Sequence, residues 1–188
     1  MAEIEGGASP AALGLGETLT LAEPGAAAPA TLSGIAVDSR QVAPGGLFVA
    51  IKGVAADGAA FADKAVAAGA AAILTDAPGA LRIRRALGRW PVPIFVDPEP
   101  RRRLARIARA AWPAQPETLV AVTGTNGKTS VASFAAQIFA ALGRKSAMFG
   151  TTGLESWNLP ADLAETQSHT TPEPIALHQL LQRLARQG

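Results

Sequence analysis

The sequence predicts an α/β protein in two parts: a small α/β domain, then the start of a parallel-sheet domain built on a phosphate-binding loop. Three observations lead there. Across residues 31–112, short apolar runs bounded by turn residues alternate with segments of helical periodicity. The run Val120-Ala121-Val122-Thr123 leads straight into Gly124-Thr125-Asn126-Gly127-Lys128-Thr129-Ser130 and an apolar stretch of helical length, which is the order strand, glycine loop, Lys-Thr, helix. Between the two parts, Trp112-Pro113-Ala114-Gln115-Pro116 breaks the periodicity with two prolines. The divisions expected are an Ala/Gly/Pro-rich segment over 1–30, a first domain over 31–112, a linker over 113–117, and an incomplete second domain over 118–188.

Bulk properties narrow the class. A chain of 188 residues with 48% hydrophobic content can bury a core in each part. The net charge of +2 is a near-balance and is poor evidence for a nucleic-acid partner. With no cysteine there are no disulfides and no thiolate metal ligands, which suits a reducing cytoplasm. No apolar run approaches the roughly 18 residues of a membrane span. Met1-Ala2-Glu3-Ile4-Glu5 carries acids where a signal peptide carries basic residues.

Taken in order, residues 1–30 show little periodicity and are expected to be mostly loose, with one short helix around Leu13 to Leu21. Leu32 to Val37 and Leu47 to Ile51 read as strands separated by Pro44-Gly45-Gly46. Asp57-Gly58 opens a helix through Phe61, Ala65 and Val66 that Gly69 ends. Ala71 to Leu74 and Pro93 to Val96 are strand-like. Asp97-Pro98-Glu99-Pro100 starts a helix to Trp112 with Leu104, Ile107, Ala108 and Ala111 on one face. Its arginines, Arg101, Arg102, Arg103, Arg106 and Arg109, read as a solvated face; RNA binding through them is the competing reading, and the lack of interleaved aromatics weighs against it.

In the second part the expected order is strand (Leu119 to Thr123), loop, helix (Thr129 to Leu142) and strand (Ser146 to Gly150), one βαβ unit of a parallel sheet. A polar loop over Thr151 to Thr171 follows. A final amphipathic helix then begins at Pro172-Glu173-Pro174, with Leu177, Leu180, Leu181 and Leu184 as its apolar stripe.

The loop carries the chemistry. Gly124 and Gly127 let backbone N–H groups approach phosphate oxygens with no Cβ in the way, and the following helix N-terminus adds orphan donors. Lys128 is placed to reach the β- and γ-phosphates of ATP, and the Thr129 hydroxyl to sit on Mg²⁺. The strict G-x-x-x-x-G-K-[ST] pattern fails, because Val122 stands in its first glycine slot. Two parallel strands cannot bury both sheet faces, and no apolar strand ending in an acid follows the loop to supply a second Mg²⁺ ligand. The chain is therefore expected to be a piece of a longer enzyme.

Asp38-Ser39-Arg40, Pro44-Gly45-Gly46-Leu47-Phe48-Val49-Ala50, Gly53 and Asp57-Gly58 resemble the N-terminal domain of the Mur ligases. Thr123-Gly124-Thr125-Asn126-Gly127-Lys128-Thr129 resembles their ATP loop, which also lacks the first glycine. Thr125-Asn126, Gly150-Thr151-Thr152-Gly153 and Thr170-Thr171-Pro172 fit the MurE branch, which adds the third residue of the peptidoglycan stem peptide. The resemblance implies a cytoplasmic, monomeric, ATP- and Mg²⁺-dependent amide ligase acting through an acyl phosphate. Its substrates would be UDP-MurNAc-L-Ala-D-Glu and an amino acid, diaminopimelate being the commoner choice over lysine.

By position, Ser39 would touch the UDP portion, with Val54-Ala55-Ala56 nearby, and Thr170 and Thr171 would bind the muramoyl-peptide side. His169 stands where relatives often carry Asn, and His178 reads as a surface histidine. An Asx turn made by Asp38, with Arg40 as its surface partner, is the plainer reading of Asp38-Ser39-Arg40. The further Mg²⁺ ligands, the family's modified lysine and the amino-acid domain would lie beyond Gly188, so these 188 residues are expected not to ligate by themselves. The competing functions are another P-loop enzyme, such as a small kinase or another Mur-type ligase, and a non-catalytic UDP-sugar or ATP-binding module.

Overall fold

The computed structural model describes residues 1–24, 27–53, 56–159 and 173–187. The chain divides into two compact units, Met1–Pro113 and Ala114–Gly188.

The first unit is built on a six-stranded sheet. Its strands are β1 (Ala2–Ala8), β2 (Leu19–Leu21), β3 (Leu32–Ala36), β4 (Leu47–Val49), β5 (Ala72–Thr75) and β6 (Ile94–Val96), in the order β1-β3-β4-β5-β6-β2. The four inner strands are parallel, with Ala36 beside Phe48, Phe48 beside Ile73 and Leu74 beside Phe95. Both edge strands run antiparallel to their neighbours. The helices are α1 (Ala62–Ala67), α2 (Ala77–Leu87) and α3 (Pro100–Ala111).

Period-two alternation divides the strand side chains between two buried faces, as a parallel sheet requires. Phe48, Ile73 and Ile94 pack with Ala62 and Ala65 of α1 and Ala80 and Ile83 of α2 in one cluster. Leu47, Val49, Leu74 and Phe95 are equally buried and point to the opposite face. Leu104 and Ile107 of α3, with Leu13 and Leu15, supply the buried apolar side chains outside the first cluster. The arginines of α3 behave as a solvated face: Arg101, Arg102, Arg106 and Arg109 are exposed, and Arg102 pairs with Glu99.

Residues 1–30 depart from expectation. Instead of loose chain with a helix over 13–21, they form both edge strands, joined through a short 3₁₀ turn at Leu15–Glu17. Leu13 and Leu15 are fully buried. Edge strands need only one partner, and here the partners are Ile35 and Val96, far along the chain, so local periodicity carries no trace of them. α2 also lies where no helix was expected, although its signals are local. Asp76 caps it by accepting from Gly79 N–H at 2.7 Å, Pro78 sits in its first turn, and Gly88 closes it in the left-handed region.

In the second unit, α4 (Lys128–Ala141), β7 (Ser146–Gly150), β8 (Gly153–Trp157) and α5 (Pro174–Ala185) are formed. Two expectations fail here. Leu119 to Thr123 is not a strand, and Leu119 and Val120 are exposed. β7 pairs antiparallel with β8, inside the expected polar loop, rather than in a parallel βαβ unit. A β-branched run is a strand only when another strand takes its N–H and C=O groups, and β7 spends one edge on β8. Val131, Phe134 and Ile138 of α4, with Leu142 just after it, are exposed at helical spacing. In α5, Ile175 and Leu180 are buried, Leu180 against Leu154, and His178 is half-buried rather than on the surface. Among the described residues no helix is long and apolar enough to cross a membrane.

Candidate functional site

In the first unit the turns that follow β3 and β4 leave the same end of two adjacent parallel strands, the end where α/β sheets receive ligands. The turn after β3 is a 3₁₀ turn over Ser39–Gln41, capped by Asp38, whose Oδ1 accepts from Arg40 N–H at 2.9 Å. Asp38 Oδ2 also accepts from Arg40 Nη2 at 2.6 Å. The Arg40 side-chain bonds, seconded by its N–H, lower the Asp38 carboxyl from 3.8 to about 2. The Asx turn of the plainer reading is thus formed, and Arg40 lies on the surface with its charge answered. Ser39 beside it is 8% exposed, and its hydroxyl has no hydrogen-bond partner among the described residues. The Ser39 hydroxyl is thus free to bond a group that reaches this end of the sheet.

The turn after β4 closes through Gly53 N–H to Ala56 C=O at 2.8 Å and Gly58 N–H to Ile51 C=O at 3.0 Å. A Cβ on Gly58 would stand 2.8 Å from Ile51 N, so only glycine fits. Asp57 caps the next turn through Ala59 N–H and pairs with Arg82 at 3.0 Å. Val54 and Ala55, expected near the nucleotide, lie outside the described residues.

In the second unit the phosphate loop is an open turn into α4. Gly127 precedes the helix at φ 75°, ψ −1°, and no side chain caps the helix there. The first intrahelical bond is Val131 N–H to Gly127 C=O at 2.9 Å, which leaves the N–H groups of Lys128, Thr129 and Ser130 without intrahelical acceptors. A Cβ at Gly127 would meet nothing within 4 Å, so the loop is open at that position. Gly124, at φ 152°, turns the chain out of the preceding extended run. Thr125, Asn126 and Ser130 are exposed, while Lys128 and Thr129 are half-buried.

Lys128 folds back over the loop, its Nζ donating to Gly124 C=O at 2.5 Å and Thr125 C=O at 3.2 Å. An anion in the loop would compete for that ammonium. Thr129 Oγ1 lies 3.4 Å from Thr151 Oγ1, at the end of β7. Sequence reasoning noted Thr151 as part of a motif but gave it no role, because the contact spans 22 residues.

These residues fit a nucleotide triphosphate: a loop open at Gly127, orphan N–H donors, a lysine and a hydroxyl. Among the described residues no group of three or more His, Cys, Asp or Glu could hold a metal ion. Mg²⁺ is commonly held by one or two protein oxygens together with substrate phosphates, and the Thr129 hydroxyl is an oxygen of that kind beside the loop. Thr170, Thr171 and His169 lie outside the described residues.

Comparison with known proteins agrees with this architecture. The pattern of the Mur ligase family, catalytic domain, matches residues 31–112, and that of the Mur ligase middle domain matches residues 122–188. The protein named UDP-N-acetylmuramoyl-L-alanyl-D-glutamate--2,6-diaminopimelate ligase of Rhizobium meliloti (strain 1021) is 46% identical over 166 residues, covering 87% of this chain and 32% of the relative. The protein of the same name from Bradyrhizobium diazoefficiens is 48% identical over 158 residues, covering 84% of this chain and 30% of the relative. A solved structure titled as a ligase of that name superposes with a TM-score of 0.62 at 27% identity, over 84% of this chain and 30% of its own. The chain spans about a third of the length of the curated relatives it matches. With the catalytic-domain and middle-domain patterns following one another along it, the chain belongs to the Mur ligase family.

Proposed function

We propose that the chain is part of an ATP-dependent amide ligase that adds diaminopimelate to UDP-MurNAc-L-Ala-D-Glu. The observation that carries this is the loop Gly124–Thr129, open at Gly127, whose uncapped helix N–H donors stand beside Lys128 and Thr129. The names of the relatives support the choice of substrates. A substrate carboxylate oxygen attacks the γ-phosphorus of ATP, ADP leaves, and an acyl phosphate forms. The amine of the incoming amino acid attacks the acyl carbon, phosphate leaves, and the amine proton passes to solvent or a base.

Phosphoryl transfer needs positioning and charge neutralisation more than covalent chemistry. Lys128 leaves the Gly124 and Thr125 carbonyls to neutralise the transferring phosphoryl. The N–H groups from Thr125 to Ser130, with Asn126, cradle the phosphates. Thr129 would hold Mg²⁺ through its hydroxyl oxygen, and the ion would supply neutralisation of the phosphate charge. In the first unit, Ser39 binds the UDP portion, and its unpartnered hydroxyl supports that role. Thr170 and Thr171 contact the muramoyl peptide, and the enzyme acts in the cytoplasm as a monomer.

The test is the intact protein with ATP, Mg²⁺, UDP-MurNAc-L-Ala-D-Glu and diaminopimelate, followed by mass spectrometry of the tripeptide product. Product formed with stoichiometric ADP and phosphate is the expected result. Lys128→Ala should remove on the order of 2–5 kcal/mol of phosphate interaction. Unchanged ATP affinity and turnover in that variant would sink the assignment. Retained UDP-substrate binding without any phosphate release would instead favour a non-catalytic binding module.

A further inference from the structure

We propose that Thr151 is a positioning residue for Thr129: its Oγ1 takes the Thr129 hydroxyl proton, leaving the Thr129 lone pairs for the Mg²⁺ that accompanies the nucleotide. This rests on the phosphate-loop reading above and adds a residue to it. A threonine hydroxyl has one proton and two lone pairs. When a lone pair goes to a cation, the proton must point elsewhere, and the cation's charge makes it a stronger donor. In a helix the usual acceptor would be a carbonyl three or four residues back. For Thr129 these are the Thr125 and Asn126 carbonyls, and among the described residues the Thr129 hydroxyl bonds neither, its contact being with Thr151. The Thr151 oxygen stands 3.4 Å from the Thr129 oxygen.

The placement of Thr151 is built rather than incidental. The β7–β8 hairpin is fastened to α4 and its C-terminal end by three bonds. Ser146 Oγ donates to Ala136 C=O at 2.8 Å, and Asn158 Nδ2 donates to Ala140 C=O and Arg144 C=O at 3.0 Å each. These bonds fix the register of the strand against the helix and bring the end of β7 to the first turn of α4. Thr152, the next residue, turns away and donates to Glu155 at 2.8 Å within the hairpin. Of the two adjacent threonines only Thr151 faces Thr129. At 3.4 Å the contact is longer than a good O–H···O bond, and catalytic hydrogen bonds commonly tighten when the ligand arrives.

The experiment is calorimetric titration of ATP into the intact protein, with Mg²⁺ varied and with EDTA as the metal-free reference. Thr151→Val keeps the shape and removes the hydroxyl; Thr151→Ser restores it. The expected result is that Thr151→Val raises the Mg²⁺ concentration for half-maximal tight binding by about tenfold. Affinity in EDTA should stay unchanged, and Thr151→Ser should return the Mg²⁺ requirement to that of the wild type. An unchanged Mg²⁺ requirement in Thr151→Val overturns the proposal, as does an equal loss with Mg²⁺ and with EDTA. Thr151→Ala is read by the same criteria if the valine variant misfolds. Lys128→Ala separates the two readings, since it should weaken binding in both conditions. If the wild type binds no ATP in either condition, the phosphate-loop reading falls and this inference with it.

Discussion

Arg103 on α3 donates from Nε to Asp97 Oδ2 at 2.6 Å, with side chains only 11% and 10% exposed. Arg103 Nη1 also donates to Gly14 C=O at 3.0 Å and lies 3.5 Å from Glu17 Oε2. One guanidinium thus joins the end of β6, the first turns of α3 and the N-terminal segment. Arg103→Ala is expected to destabilise the first unit by about 3–5 kcal/mol, because it leaves a buried carboxylate without its partner. Urea denaturation followed by the fluorescence of the buried Trp112 measures this. Asp97→Asn added to Arg103→Ala should cost less than the two single losses summed, since the uncompensated charge is gone.

The same pair gives a pH dependence. Burial on its own would raise the Asp97 carboxyl. Hydrogen bonds from Arg103 and the Glu99 N–H, with the charges of Arg103 and Arg106, hold it below its ordinary 3.8. A carboxyl depressed by folding contributes stability above its unfolded value and loses it as pH falls through the folded one. The stability of the first unit should therefore drop as pH falls below 3.8, and the Arg103→Ala variant should show a shallower drop.

Asp38 is exposed enough to be read directly. Its carboxyl should titrate near 2 by ¹³C NMR and return toward 3.8 in Arg40→Ala. A wild-type midpoint at the ordinary carboxylate value would mean that the Asp38–Arg40 bonds do not persist in solution.

Two left-handed glycines should respond differently to alanine. Gly127, at φ 75° with nothing near its Cβ direction, should cost only the local strain of about 1–2 kcal/mol. Gly69, at φ 98°, would bring its Cβ to 2.9 Å from Pro44 Cα, so a clash adds about 1–3 kcal/mol to that strain. Nucleotide affinity should show the reverse order. Gly127→Ala adds a methyl group in the proposed phosphate loop and should weaken ATP binding roughly tenfold or more, while Gly69→Ala should leave it unchanged. Chemical denaturation and ATP titration of both variants check the crossing.

Ser39→Ala removes a hydroxyl that makes no hydrogen bond among the described residues. Its expected effect on unfolding is within about 0.5 kcal/mol, whereas binding of the UDP-substrate should lose about 0.5–1.5 kcal/mol, one hydrogen bond. A destabilised variant with unaltered affinity would give Ser39 a purely structural role.

Elements specified by neighbours in the chain were legible from sequence. α3 begins where Pro100 follows Glu99 and buries Leu104 and Ile107 as its periodicity required. The loop from Gly124 to Thr129 enters α4 at Lys128 because glycine, lysine and the helix start are consecutive. α2 could have been read too, from Asp76, Pro78 and Gly88. The edge strands could not, since their partners are remote and a single paired edge leaves no alternation to detect. The burial of Ser39 and the approach of Thr151 to Thr129 share that cause, as each depends on strands brought together by the fold.

Leu119 to Thr123 shows where the division falls. Its β-branched, apolar composition, read in the sequence, determines a strong preference for extended backbone. Whether extended chain becomes a strand depends on a partner for its N–H and C=O groups, which no run of residues supplies to itself. The sequence by itself carried the local signals of α2, α3 and α4. The tertiary structure alone decided which strands pair, because strand hydrogen bonds join residues that are distant in the chain.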